Sequence, residues 1–286
     1  SNPLTLEDVP PKSLGGKPLI LACKACNSRS GHLLDAHLLN WHEREDARGF
    51  LPNSSTRVEL SAEGRGRMNG RMEIDAKGRV KLDLLPRISN PKESTLFMDH
   101  MSPGRTFHHP ITHPDKLFEE VKIPFSMRFQ HQPDERVCEV GLLRIAYLIA
   151  FQKFGHGFLI NGGLYKVREQ ITNPDKVILP RMGWLKYTFP ENCLGVNIIN
   201  KPKELQCFLV IFNLRTASST YQYAVMLPGP SEPGAAVYEN LAAYIREAEE
   251  GAVLQANMEH LGTADFVGQE RLAFASHALW QKHTEA

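Results

Sequence analysis

The chain has 286 residues, of which 42% are hydrophobic and 23% charged, and a formal net charge of +1. That length can bury a substantial core in one large or two small domains. The near-neutral total excludes bulk basicity, so any nucleic-acid contact must come from a local patch. No apolar run reaches the ~20 residues of a transmembrane helix; the longest, 137–154, is broken by Glu139, Arg144, Gln152 and Lys153. Ser1-Asn2-Pro3-Leu4 lacks a basic start followed by an apolar stretch, so no signal peptide is expected. The five cysteines form no disulfide framework: Cys23 and Cys26 make a C-x-x-C, while Cys138, Cys193 and Cys207 are isolated, so a reducing, cytoplasmic protein is expected.

In chain order, 4–9 reads as a short strand, and the prolines and paired glycines of 10–16 as a loop. Residues 19–22 read as a second strand. Asn27 or Ser28 is a candidate cap for a helix to about Glu45, with Leu34, Leu38 and Trp41 at helical spacing. Gly31 inside that helix costs ~1 kcal/mol relative to alanine and predicts a close approach. Residues 49–55 read as a linker. Strand signals follow at 56–60, at 67–72, where Asn69-Gly70 predicts a hairpin turn, and at 79–85. A long irregular surface segment is expected over 86–115, and a strand over 121–129. The strongest helix is 134–154, closed by Gly155 and apolar on most sides, hence central in the core. Strands are expected at 157–160, 194–199, 205–214 and 221–227, a helix at 235–249 and a short one within 269–286.

One stretch carries chemistry. Glu7-Asp8-Val9-Pro10-Pro11-Lys12-Ser13-Leu14-Gly15-Gly16 is followed by Leu21-Ala22-Cys23-Lys24-Ala25-Cys26-Asn27-Ser28-Arg29-Ser30-Gly31. The stretch resembles the HNH endonuclease family: an acid-His-hydrophobe strand, Pro-x-Ser-x-Gly-Gly, then C-x-x-C-Asn opening a helix. The resemblance covers about a tenth of the chain. It implies a ββα element holding one divalent metal and a divalent-metal-dependent hydrolase of DNA phosphodiester bonds. Carried over residue by residue, Glu7 and Asn27 become metal ligands. Both present hard oxygens, which suit Mg²⁺ or Mn²⁺. Asp8 takes the place of the family's catalytic histidine. Aspartate is a much weaker base than imidazole near neutral pH, so the alternatives are a second metal ligand at Asp8 and a weakened, nucleic-acid-binding or assembly module on the same scaffold. Lys12 and Arg29 become contacts to the DNA backbone. Many HNH proteins also hold a structural Zn²⁺ between two C-x-x-C pairs; Cys23 and Cys26 supply two of the four ligands that a closed site needs, so zinc is expected only with further ligands upstream. The alternative for this pair is two small hydrophobic side chains.

Weaker candidates are the histidines 108, 109 and 113, read as a surface loop, and His32 and His37, read as packing or surface groups. The basic run Arg65, Arg67, Arg71, Lys77, Arg79 and Lys81 could meet phosphates or form a solvated strand face, since Glu63, Glu73 and Asp75 interleave. Residues 137–175 bear a vaguer resemblance to regions following the motif in some HNH proteins. The expected fold is α+β: a small N-terminal ββα-metal element over 1–48 and a larger mixed α+β domain over 49–286. The latter leaves a homo-oligomer or a protein partner open beside DNA, with no membrane partner.

Overall fold

The computed structural model describes residues 3–62, 64–101, 126–130, 133–155, 162–229, 236–247 and 257–260. The elements in order are β1 (Leu4–Val9), β2 (Lys17–Cys23), α1 (Lys24–Ser30), a π-helical turn (Gly31–Asp35), α2 (Ala36–Arg48), β3 (Ser55–Ser61), β4 (Arg67–Ile74) and β5 (Val80–Leu84). Then come α3 (Pro91–Met101), β6 (Ser126–Phe129), α4 (Glu135–Phe154), α5 (Gly162–Thr172), β7 (Trp184–Lys186), β8 (Gly195–Lys201), β9 (Cys207–Arg215), β10 (Thr220–Pro228), α6 (Val237–Glu247) and β11 (Asn257–His260). The fold is mixed α+β, as expected.

The chain forms two compact units: residues 1–37 with 135–214 and 220–286, and residues 38–134 with 215–219. These are composed differently from the segments 1–48 and 49–286 read from the sequence. The boundary falls near the start of α2, and the first unit is assembled from distant pieces of chain.

In the first unit, β1 and β2 form an antiparallel hairpin, and a separate five-stranded sheet has the order β11-β8-β9-β10-β7. Helix α4 packs on β10 and on β8. It is buried continuously from Val140 to Tyr147, which is why its sequence shows an apolar run rather than one apolar stripe. Gly155 follows with φ 66°, the left-handed conformation that glycine tolerates best.

In the second unit, a four-stranded sheet has the order β5-β4-β3-β6. Val58, Leu60, Met68, Met72, Ile74 and Phe97 form its core. Alternation along β4 runs without a break, burying Met68, Gly70, Met72 and Ile74. Asn69-Gly70 is therefore mid-strand and not a turn: Gly70 lies opposite Val58 on one side and Leu84 on the other. The Asn69 amide donates to Ile88 O at 2.6 Å, which ties down the chain after β5. The β4–β5 turn is at Asp75–Gly78 instead, where Asp75 accepts from the backbone N–H groups of Lys77 and Arg79.

Other expectations are corrected. The segment expected to be irregular over 86–115 contains α3, because Phe97 enters the core. Helix formation starts at Lys24, not at Asn27 or Ser28, because the Cys23 sulfur accepts the Cys26 N–H at 3.1 Å and caps the first turn. Gly31 has open space where a Cβ would stand, so no close approach explains it. Helix α5 and strands β7 and β11 are further elements beyond those expected from the sequence. The expected strand at 157–160, the helix within 269–286 and the histidines 108, 109 and 113 lie outside the described residues.

Candidate active site

The N-terminal hairpin is shaped by its turn. Leu14 and Gly16 both donate backbone N–H groups to Pro11 O, at 2.8 and 3.1 Å. Gly15 has φ 83°. A Cβ on Gly16 would stand 1.4 Å from the Pro10 carbonyl oxygen, so the backbone can close here only without a side chain. The paired glycines thus serve two different needs.

Strand β1 exposes Leu4 and Leu6 and buries Glu7 and Val9. A register shift falls between Glu7 and Asp8, and such bulges re-aim side chains. Glu7 is only 2% exposed. Its Oε1 accepts from Arg144 Nη2 of α4 at 2.5 Å, in a buried ion pair. Its Oε2 is buried with no hydrogen-bond partner among the described residues. Arg144 also reaches Asp35 Oδ1 with Nη1 at 3.5 Å. Burial pushes the Asp35 carboxyl up to about 6; Arg144 pulls it down and the Glu7 charge pushes it up, but desolvation dominates. The result is one guanidinium between two carboxylates.

Asn27 lies on α1, and its Nδ2 donates to Thr5 Oγ1 at 3.2 Å and to Leu6 O at 3.3 Å. The amide is thereby laid against β1 one residue before Glu7, and its Oδ1 has no partner among the described residues. Asp8 follows the bulge, half-buried. The donors fit a hard divalent ion in kind: the orphaned Glu7 Oε2 is a carboxylate oxygen without a counter-charge of its own, and Asn27 Oδ1 is a neutral oxygen on the neighbouring element. Among the described residues no group of three His, Cys, Asp or Glu side chains converges on a metal position. Water or substrate would have to complete the coordination.

Cys23 and Cys26 are joined in a disulfide. The sequence reading offered this pair as two zinc thiolates or as two unlinked small hydrophobes; a disulfide between them was not expected. The end of β2 and the first turn of α1 bring the Cα atoms to 5.3 Å, within disulfide reach, and an oxidised pair offers no thiolate to zinc. Lys12 is exposed at the hairpin turn and Arg29 is exposed on α1. Arg29 and Asn27 line a cleft of about 300 Å³ together with Arg144 and Arg168, against an apolar wall that includes Leu148 and Ile171. The structure therefore places Asn27 and Arg29 in one cleft with Arg144, the partner of Glu7, and leaves Lys12 at the hairpin turn.

Arg144, Asp35 and Arg168 were missed from the sequence. Arg144 had a signal: a lone cation inside an apolar helix needs a counter-charge when buried. Asp35 and Arg168 had none. Helix α5 carries Gln170, fully buried, whose Oε1 accepts from the N–H groups of Ile178 and Leu179, both at 3.0 Å. Its Nε2 donates to Asn173 O and Lys176 O, so this residue of the vaguer resemblance folds the following loop.

No protein-family model, no curated protein and no solved structure matches the chain. Among the described residues no helix is long and apolar enough to cross a membrane.

Proposed function

We propose that the protein is a divalent-metal-dependent endonuclease of the HNH type that hydrolyses DNA phosphodiester bonds. The observation that supports this reading is the buried Glu7 Oε2, which has no partner among the described residues, on a strand whose preceding residue, Leu6, accepts the Asn27 amide through its carbonyl. A desolvated carboxylate oxygen without a partner is costly, and a cation would satisfy it. Glu7 and Asn27 would hold Mg²⁺ or Mn²⁺, which when bound supplies Lewis-acid stabilisation of charge at a scissile phosphate. Arg144 pairs with Glu7 and fixes its direction. Asp8, at the base position, can accept a proton from an attacking water, weakly because of its low intrinsic basicity. Lys12 and Arg29 supply positive charge to the DNA backbone. If Cys23 and Cys26 are reduced, they provide two of the four ligands of a structural Zn²⁺.

A second reading is favoured by Asp8 itself and by Arg144, which already compensates much of the Glu7 charge: a catalytically weakened module that binds nucleic acid or acts in assembly. A plasmid-nicking assay in Mg²⁺ or Mn²⁺, run beside a DNA-binding assay, separates the two. Weak wild-type cleavage, lost in Glu7→Gln and raised ~10²–10⁴-fold in Asp8→His, is expected for a nuclease lacking its imidazole base. Binding without cleavage in both wild type and Asp8→His favours the second reading. Strong cleavage indifferent to Glu7→Gln would remove the chemistry from this site.

A further inference from the structure

The second unit holds a polar cleft of about 320 Å³ that contains Arg44 of α2, Arg57 of β3 and Arg71 of β4. Arg57 and Arg71 stand directly opposite each other in the β3–β4 register. Like charges in that position repel. Elsewhere on the sheet the cations have opposite charges to meet: Arg128 faces Glu59, Lys81 pairs with Asp83 at 2.9 Å, Arg79 with Asp75 at 2.7 Å, and Arg67 with Glu93. Arg57 has no carboxylate partner among the described residues. Arg71 has a long contact to Glu73 at 3.4 Å and donates to Ser55 Oγ at 3.1 Å; Asp83, across the other strand, is engaged by Lys81. Arg44 Nε is buried and makes no hydrogen bond among the described residues. Among the described residues the one carboxylate lining the cleft is Glu43. Burial pushes its carboxyl above the ordinary value and Arg71 pulls it down, so a single acid stands among three guanidinium groups.

We propose that this cleft is a phosphate-binding site, in which Arg44, Arg57 and Arg71 together hold one phosphoryl group. Guanidinium forks match the oxygens of a phosphate bidentately. An anion between Arg57 and Arg71 turns their repulsion into attraction and gives Arg44 Nε its missing acceptor. Gln130, which also lines the cleft, adds a neutral donor. The site lies in the second unit and does not depend on the nuclease reading of the hairpin. The phosphoryl group can belong to free phosphate, to a nucleotide or to a nucleic-acid backbone, and these sources share the same chemistry.

The test is calorimetric titration and thermal unfolding of the full chain with inorganic phosphate, a nucleoside 5′-monophosphate and a single-stranded oligothymidylate, each against chloride at matched ionic strength. At least one probe is expected to bind and to raise Tm beyond the chloride control; the tightest names the source. Arg44→Gln, Arg57→Gln and Arg71→Gln are each expected to weaken binding about tenfold, the scale of one charge-assisted contact. Glu43→Gln removes the competing acid and is expected to tighten it several-fold. Arg57→Gln should also leave the ligand-free Tm unchanged or raise it, because it relieves the repulsion; a purely structural arginine would lower it. Absence of binding by all three probes, or binding that none of the four substitutions alters, overturns the proposal.

Discussion

Arg144 organises the N-terminal site at the scale of single residues. It is 5% exposed, and its charge is compensated by Glu7 and, more distantly, by Asp35. A buried pair of this kind adds little net stability relative to an apolar replacement, but breaking it strands a charge out of water. Arg144→Met should therefore destabilise the protein by roughly 3–5 kcal/mol. The double variant Arg144→Met with Glu7→Gln should recover part of the loss, since the close carboxylate is then neutral and only the more distant Asp35 loses its counter-charge. Denaturant midpoints of the single and double variants measure this coupling; additive losses would show that the pair is not a coupled unit. The same ion pair explains why Glu7 carries one satisfied and one orphaned oxygen, the asymmetry on which the metal-binding reading depends.

At the scale of elements, α3 shows how one residue draws a polar, proline-flanked segment into structure. Asn90 Oδ1 accepts from the Lys92 N–H at 3.0 Å, and Ser94 N–H donates to Asn90 O, which starts the helix. Phe97, with 0% exposure, then packs among Val58, Leu60, Met68 and Met72. Phe97→Ala should cost roughly 3–5 kcal/mol, as buried aromatic truncations do. Glu93→Ala, which removes the exposed partner of Arg67 on the same helix, should cost no more than ~1 kcal/mol. Chemical denaturation of both variants checks the contrast; equal losses would mean that the surface pair, not the core residue, anchors α3. The sequence pattern concealed this helix because its anchor, Phe97, is fixed by packing on residues distant in the chain. By contrast, α4, β9 and β10 lie close to their expected ranges, since sustained apolar patterning is a local property that survives folding.

At the scale of the whole molecule, the distribution of cysteines follows burial and pairing. Cys138 and Cys207 are buried, and burial pushes the Cys207 thiol up to about 12; Cys193 is half-buried, and Cys23 and Cys26 are joined. Native protein treated with a thiol-alkylating reagent should be modified at Cys193, and after mild reduction at Cys23 and Cys26 as well, with Cys138 and Cys207 protected until unfolding. Peptide mass mapping reads the sites directly, and labelling of Cys23 or Cys26 before reduction would contradict the disulfide. The sequence by itself determined the mixed α+β class, the β1–β2 hairpin with its paired glycines, the central helix α4, and Glu7 and Asn27 as the residues to inspect. These follow from local periodicity, turn chemistry and a short motif. Tertiary structure alone decided that Glu7 meets Arg144 across 137 residues of chain, that Asp35 joins them, and that Arg57 faces Arg71 beside Arg44. It also decided that residues 1–37 group with chain beyond residue 134. Such pairings depend on strand register and on which distant segments share a core, and neither is written in any local pattern of residues.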